Sequence, residues 1–187
     1  MSAESAALLW IPMPLFGRGG VSVRYDLQHI YRITIVSDIP DGAERVSSGT
    51  PDHIARLCAF LKAYQAGCGL RPDMGRMNLC HEGTDFSWKV YDAVGEIPFG
   101  AFRTYQDIAR DIGSTQACRA VGSALRRNPF HIVVPCHRVV AKVGDPFKFA
   151  AGADMKRALL AHEKTLSILE HDLGYMGASR AGERPIL

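Results

Sequence analysis

A pair of short helices between residues 104 and 127 constrains the fold of this chain more than any other feature of its sequence. Thr104 is a residue type that caps helix N-termini, and Asp107 stands three positions later as a weak capping-box partner. Ile108 and Ile112 are four residues apart, so they share one face of the first helix. The segment therefore begins with a short helix whose apolar face packs inward.

The second helix of this pair follows Gly113, which suits the turn between them. Ser114 or Thr115 can cap this helix, which we expect from about residue 116 to 127. Helical spacing places Val121 and Leu125 on its inward face. The opposite face carries a polar stripe of Arg119, Ser123 and Arg126. Two helices about a short glycine turn form the helix-turn-helix pattern.

Small residues surround Arg119 on this second helix. They are Ala117, Ala120, Gly122, Ser123 and Ala124. A helix with so little bulk can press into a DNA groove, where Arg119 would reach the space of a displaced base. Tight packing against a neighbouring helix explains the same residues, so both interpretations stay open here.

Charge and composition bound the class of protein. A chain of 187 residues with 47% hydrophobic and 22% charged residues can form one globular domain or two small ones. Residues 100–164 carry 11 Lys and Arg against 5 Asp and Glu, which favours either a polyanionic partner or a solvated basic face. The sequence shows neither a signal peptide nor an apolar run of about 18 residues, so we expect a soluble, intracellular protein without a membrane partner.

The rest of the chain predicts an α+β fold. Residues 21–25 and 30–36 are typical of antiparallel strands, and a helix follows Thr50 until Gly67 ends it. Asp85 to Val94 indicates a further helix. We expect a sheet and helix domain over 1–83, a second domain over 84–170, and a loose tail over 171–187.

Five cysteines without a CxxC pair favour free thiols over a disulfide framework. Three of them and one histidine could in principle bind zinc: Cys58, Cys68, Cys80 and His81. Their spacing is not a recognised zinc pattern, so we predict neither a required metal nor a cofactor.

The segment from Arg127 to Val140, RNPFHIVVPCHRVV, places a thiol in a polar setting. Cys136 follows Pro135 and precedes His137 and Arg138. Two potential cations beside a cysteine should lower its pKa, which favours a reactive thiol over an inert one.

Glu163 lies on the apolar face of a helix that we expect Asp154 to cap, because it follows Leu159 by four residues and precedes Leu166 by three. A buried carboxylate needs a partner. His137 is one candidate, which would give a Cys, His, Glu chain in which His137, directly or through water, accepts the thiol proton. A surface arginine is the alternative.

Together these motifs resemble the O6-alkylguanine-DNA alkyltransferase family. The similarity covers about residues 86–165 and rests on a helix with Tyr105 and four motifs in the family's order: RAVG at 119–122, RNP at 127–129, PCHRV at 135–139 and LLAHE at 159–163. It implies an RNase H-like N-terminal domain and a winged-helix-like C-terminal domain. It also implies single-turnover repair of O6-alkylguanine, and of O4-alkylthymine as a further substrate, by a monomer acting on double-stranded DNA in the cytoplasm or nucleoid, or in a eukaryotic nucleus.

The resemblance also implies roles for residues of the site. Cys136 would accept the alkyl group, His137 and Glu163 would activate it, and Asn128 would brace the turn beneath the second helix. Tyr105 would donate a hydrogen bond to guanine N3, and the carbonyl of Val139 would accept one from the guanine amino group. Arg119 would fill the gap left by a flipped base, within a DNA-contacting set of Arg119, Ala120, Gly122, Ser123 and Arg126.

One segment departs from the family pattern. Where the family usually has NYSGG over the base, this chain has KFAAG at residues 148–152. Phe149 keeps a stacking ring without its hydroxyl, and Ala150 offers only its backbone amide to O6. The base pocket would thus comprise Tyr105, Val139, Phe149 and Ala150.

Two other functions fit parts of the sequence. A thiol hydrolase would use Cys136 and His137 but leaves Arg119 and the helix pair unexplained. A non-enzymatic binder of damaged DNA or a transcriptional regulator would use the helices but has no need of the thiol.

Overall fold

The computed structural model describes residues 6–17, 19–47, 49–80, 83–141, 152–172 and 184–185. It divides into two compact units, Met1–Glu82 with Pro129–His131, and Gly83–Asn128 with Ile132–Leu187. Both units mix helices and strands, as an α+β fold requires. None of the helices in the described ranges is long and apolar enough to cross a lipid bilayer.

The first unit contains an antiparallel sheet of three strands in chain order: β1 (Ala7–Pro12), β2 (Gly20–Tyr25) and β3 (Ile30–Val36). Val23 in the middle strand lies opposite Leu9 on one side and Ile33 on the other, and all three are buried. The sequence predicts β2 and β3 at nearly these bounds. It misses β1, because an apolar run that ends in proline lacks the alternation of a half-buried strand.

Helix α1 (Asp52–Gln65) supplies the other half of this core. Its buried side chains recur at helical spacing and include Ile54, Leu57, Cys58, Leu61 and Tyr64. A distant segment also joins the unit: the Ile33 N–H donates to the Pro129 carbonyl at 2.7 Å, and the His131 N–H donates to the Ile33 carbonyl at 2.9 Å. Phe130 between them is fully buried.

The second unit begins with α2 (Asp85–Gly95), β4 (Ala101–Thr104), α3 (Tyr105–Asp111) and α4 (Cys118–Arg126). Thr104 caps α3, and a capping box with Asp107 is formed in both directions, as predicted. Helix α4 begins later than predicted, and neither Ser114 nor Thr115 caps it. The reason is local: the Ala117 N–H bonds to the Ser114 carbonyl, which extends the turn and makes Ala117 the N-cap.

The unit continues with a 3-10 helix (Cys136–Arg138), β5 (Val139–Val140), α5 (Ala153–Asp172) and β6 (Arg184–Pro185). Strand β4 lies between β5, which is parallel to it, and β6, which is antiparallel. The sequence predicts a loose tail from residue 171, whereas residues 171–172 belong to α5 and β6 pairs with β4. Asp154 lies in the first turn of α5 rather than at a cap.

Candidate active site around Cys136

Cys136 begins the 3-10 helix, and only 4% of its surface is exposed. Its backbone N–H donates to the Val134 carbonyl at 2.8 Å, while the Arg138 N–H donates to the Pro135 carbonyl at 2.8 Å. Pro135 fixes the backbone just before the turn. The thiol is therefore held on a short, internally bonded turn inside the second unit.

Asn128 joins the end of α4 to this turn. Its side-chain Nδ2 donates to the Val134 carbonyl at 3.0 Å and to Sγ of Cys136 at 3.1 Å. An amide group has two N–H donors, so one side chain can make both bonds. Asn128 therefore bonds to the loop before Cys136, where the resemblance implies a bracing role, and it also contacts the sulfur atom, which the sequence does not predict.

His137 and Glu163 meet inside the second unit, where neither side chain has any exposed surface. The distance from His137 Nε2 to Glu163 Oε1 is 2.7 Å. The inward position of Glu163 on α5 and its pairing with His137 match the sequence prediction. The alternative partner, an arginine, is also present, but it is buried rather than on the surface.

That arginine is Arg138, which binds both carboxylate oxygens of Glu163 through Nε and Nη2 at 2.9 to 3.2 Å. Its Nη1 donates to the Ile97 carbonyl at 2.6 Å, and its guanidinium lies 5.7 Å from the ring centroid of Phe99. The Gly100 N–H completes the set with a bond of 3.1 Å to Oε2 of Glu163. The carboxylate is thus bound by an imidazole, a guanidinium and a backbone amide.

Burial and these contacts determine the charges of His137 and Glu163. Burial alone would raise the pKa of Glu163, but His137 and Arg138 together hold it well below its usual range. Burial lowers the pKa of His137 and outweighs the opposite effect of Glu163. An ionised carboxylate can only accept hydrogen bonds, so Nε2 of a neutral His137 carries the proton and Nδ1 keeps a lone pair.

The prediction that His137 and Arg138 lower the pKa of Cys136 is wrong. Burial is the largest influence and raises the pKa of this thiol. His137 is neutral, and the guanidinium of Arg138 is bound to Glu163 and not to the sulfur. The influences that lower the pKa of Cys136 are the Asn128 amide, the charge of Lys156 and the backbone N–H groups of residues 136 and 137.

Lys156 is a site residue that sequence reasoning misses. It lies on α5 with no exposed surface, and its Nζ donates to the Val139 carbonyl at 2.6 Å. The sequence does contain a signal that this lysine faces inward. The spacing of three and four residues puts it on one helix face with Leu159 and Glu163. A lysine on such a face is normally assigned to the solvent.

Tyr105 is the first residue of α3 and is half-buried. Burial raises the pKa of its hydroxyl, and so does the negative charge of a Cys136 thiolate. A Cβ atom placed on Gly122 would lie 3.8 Å from Cε1 of Tyr105, so the ring packs against α4 at a position without a side chain. Because burial and the Cys136 charge both raise the pKa of its hydroxyl, Tyr105 stays protonated at neutral pH and can donate a hydrogen bond.

The outward face of α4 is as the sequence predicts. Val121, Ala124 and Leu125 are buried, while Arg119, Ala120 and Arg126 are exposed and Gly122 and Ser123 are half-buried. Two arginines thus stand on a surface of small residues.

Some predicted features lie beyond what the structure describes. Phe149 and Ala150 belong to residues 142–151, which fall outside the described ranges, as does His81. All five cysteines are free. Within the described residues, no group of three or more His, Cys, Asp or Glu is placed to bind a metal ion.

Residues 85–165 match the family model of the 6-O-methylguanine DNA methyltransferase, DNA binding domain. A methylated-DNA–protein-cysteine methyltransferase of Methanosarcina acetivorans is 47% identical over 103 residues, which make up 55% of this chain and 64% of the relative. The match thus spans a little less than two thirds of that protein's length. The Mycobacterium leprae protein of the same name is 36% identical over 154 residues, or 82% of this chain and 86% of the relative.

Solved structures of O6-methylguanine methyltransferases are similar to this chain over most of its length. The crystal structure of Mycobacterium tuberculosis O6-methylguanine methyltransferase superposes with a TM-score of 0.68 at 30% identity, covering 86% of this chain and 93% of the other. A crystal structure of Mycobacterium tuberculosis OGT in complex with DNA gives 0.68 at 31% identity, covering 86% and 94%.

Proposed function

The chain belongs to the methylated-DNA–protein-cysteine methyltransferase family, and from this premise we propose that it repairs O6-alkylguanine in DNA by transferring the alkyl group to Sγ of Cys136. One observation carries the proposal above all: a buried thiol receives a hydrogen bond from Asn128 beside a neutral histidine that an ionised glutamate orients. That arrangement generates a nucleophile where water is excluded.

The proton path follows from the charges of the relay. Nδ1 of His137 takes the thiol proton, directly or through a water molecule, and becomes part of an imidazolium. Glu163 stabilises that cation across the 2.7 Å contact without taking the proton, because Arg138 and the Gly100 N–H bind its oxygens as well. Glu163 thus orients and stabilises, and His137 is the base.

The transfer itself balances with one thiol and one damaged base. The thiolate attacks the alkyl carbon, the S–C bond forms, and the C–O6 bond breaks with its electron pair going to the purine. The proton lost by the thiol replaces the alkyl group on the purine. Tyr105 donates a hydrogen bond to N3 as negative charge develops, and the Val139 carbonyl accepts from the exocyclic amino group. The resulting thioether does not hydrolyse readily, so each chain acts once.

DNA binding belongs to the second unit. Helices α3 and α4 act as a helix-turn-helix within a winged-helix-like domain, and α4 contacts the duplex with the residues that it exposes. Arg119 enters the space of the flipped nucleotide, and the small residues beside it allow close approach. We also propose that the sheet of the first unit belongs to an RNase H-like domain. We further propose that the protein acts as a monomer.

Two narrower assignments complete the proposal. O4-alkylthymine is a second substrate, since it carries the same type of alkyl–oxygen bond. The site of action is a reducing intracellular compartment with DNA, because all five cysteines are free thiols.

Intact-mass analysis after incubation with an oligonucleotide duplex containing O6-methylguanine tests the proposal. We expect a gain of one methyl group per chain, located on Cys136, and no gain in Cys136→Ser. Repeated release of product without a stable mass gain would indicate a thiol hydrolase instead. Binding of the lesion with unchanged mass and unrepaired DNA would indicate a non-enzymatic damage binder, and either result rejects the transfer.

A further inference from the structure

Lys156 is a fully buried cation that the alkyl transfer, as described so far, does not use. Its Nζ is held on the Val139 carbonyl at 2.6 Å, and Val139 directly follows the 3-10 helix that begins with Cys136. Burying an ammonium group costs several kcal/mol unless an anion compensates for it. A carbonyl supplies only a dipole, so the position of Lys156 calls for a negative charge nearby.

Among the residues that the structure describes, the charged groups around Lys156 leave one candidate for that anion. On its own helix, Asp154 and Arg157 are exposed and pair with each other at 2.6 Å. Glu163 lies on the same inward face, but its oxygens are bound to His137, Arg138 and the Gly100 amide.

The 3-10 helix carries Arg138, which is bound to Glu163, and two further titratable groups, Cys136 and His137. Both respond to the charge of Lys156. A neutral imidazole cannot balance a cation. Within the described residues, the sulfur of Cys136 is therefore the group that can become the anion for Lys156.

We propose that Lys156 is the resident counter-cation of the Cys136 thiolate and sets the fraction of the nucleophile that is ionised before a damaged base arrives. The inference rests on the proposed alkyl transfer and deepens it. Lys156 acts through Cys136 as a positioning residue and keeps its own proton throughout. When the S–C bond forms and the C–O6 bond breaks, the sulfur becomes a neutral thioether, and Lys156 loses its counter-ion.

The protonation state of Lys156 agrees with this role. Burial lowers the pKa of Lys156 to about 8, and the negative charge of Cys136 acts in the opposite direction. The ammonium form is therefore the main form at neutral pH, where its charge favours ionisation of the Cys136 thiol against the effect of burial, which raises the pKa of that thiol.

The first test is the pH dependence of Cys136 alkylation by iodoacetamide, read by peptide mass without any DNA. Lys156→Gln can still donate to the Val139 carbonyl but carries no charge, whereas Lys156→Met loses both properties. We expect both variants to raise the midpoint pH of Cys136 alkylation by at least about one unit. At any fixed pH below the midpoint, that shift corresponds to a tenfold loss of thiolate. Lys156→Arg should recover part of the shift.

Lys164→Met is the matched control, because it removes a half-buried lysine from the same helix. Its alkylation profile should equal that of the wild type. A wild-type midpoint in folded Lys156→Gln overturns the proposal, since a purely structural role would change stability and leave the midpoint in place.

A second measurement needs no variant at Lys156. The 13Cε resonance of Lys156 in the wild-type protein is titrated before and after iodoacetamide has alkylated Cys136. We expect a lower pKa for Lys156 after alkylation, because the anion is gone, and an unchanged pKa overturns the proposal. Neither assay uses O6-methylguanine, so a wild type that fails to take up the methyl group rejects the transfer separately from the lysine role.

Discussion

His137 and Glu163 form a contact of 2.7 Å between two side chains without any exposed surface. Arg138 binds both oxygens of the same carboxylate and keeps Glu163 an anion, while burial keeps the imidazole neutral with its proton on Nε2. Nε2 of His137 therefore donates this hydrogen bond to Glu163. The bond fixes the orientation of the ring and stabilises the imidazolium that forms when a proton arrives on Nδ1.

Glu163→Gln tests that relationship. The amide keeps the shape but removes the charge, so the guanidinium of Arg138 stays buried without a counter-ion. Breaking a buried pair from one side costs about 3–5 kcal/mol, and losing the oriented base lowers the transfer rate by about 10²-fold or more. Urea unfolding and the rate of O6-methylguanine loss measure the two effects. Asp154→Asn, an exposed carboxylate on the same helix, should change neither.

The same carboxylate predicts how stability varies with pH. The pKa of Glu163 is lower in the folded protein than in the unfolded chain, where it is about 4.3. Its stabilising contribution is therefore complete above that value and decreases as the pH falls toward the folded pKa. We expect the free energy of unfolding to decrease below about pH 4.3, and less steeply in Glu163→Gln.

Asp26 and Asp107 also have pKa values that are lowered in the folded protein, so the variant comparison is necessary. The hydrogen bond from the Tyr31 hydroxyl lowers the pKa of Asp26 to about 2. Asp26 should contribute equally to both proteins. Identical acid profiles for wild type and Glu163→Gln would show that the buried carboxylate does not govern acid stability.

Local signals in the sequence were enough for much of the fold and site. The capping box at Thr104 and Asp107 was predictable because both of its bonds lie within four residues. The burial of Val121 and Glu163 followed from helical periodicity alone. Such features depend on one element and its own spacing, so the chain displays them without its tertiary contacts.

Features that depend on distant contacts could not be predicted in this way. Arg138 neighbours Cys136 in sequence, yet its guanidinium extends to Glu163, 25 residues away. Lys156 is charged and would be assigned to solvent until the turn at Cys136 is placed against it. The pairing of Pro129–His131 with β3 joins residues about a hundred positions apart, and no local pattern encodes it.

Arg119→Ala tests the assignment of α4 to DNA. Arg119 is exposed on α4. If it fills the gap left by the flipped base, the variant should repair a duplex at least about tenfold more slowly, since stabilising an extruded base is worth a few kcal/mol. Reaction with free O6-methylguanine should be nearly unchanged. Arg76→Ala, which removes an exposed arginine of the first unit, controls for net charge, and equal losses on both substrates would reject the finger role.

Gly122 allows a test of how α4 positions Tyr105. A Cβ atom at this position meets the ring at 3.8 Å, an ordinary contact, so Gly122→Ala should fit. Because alanine favours a helix over glycine by about 1 kcal/mol, the variant should be slightly more stable. With free O6-methylguanine as substrate, which leaves DNA contacts out of the comparison, it should transfer methyl groups at nearly the wild-type rate. Gly122→Leu should displace the ring and slow transfer, and Tyr105→Phe should also slow it by removing the hydroxyl. Thermal unfolding and single-turnover rates give both comparisons, and a Leu variant as fast as the Ala variant would show that the contact does not position Tyr105.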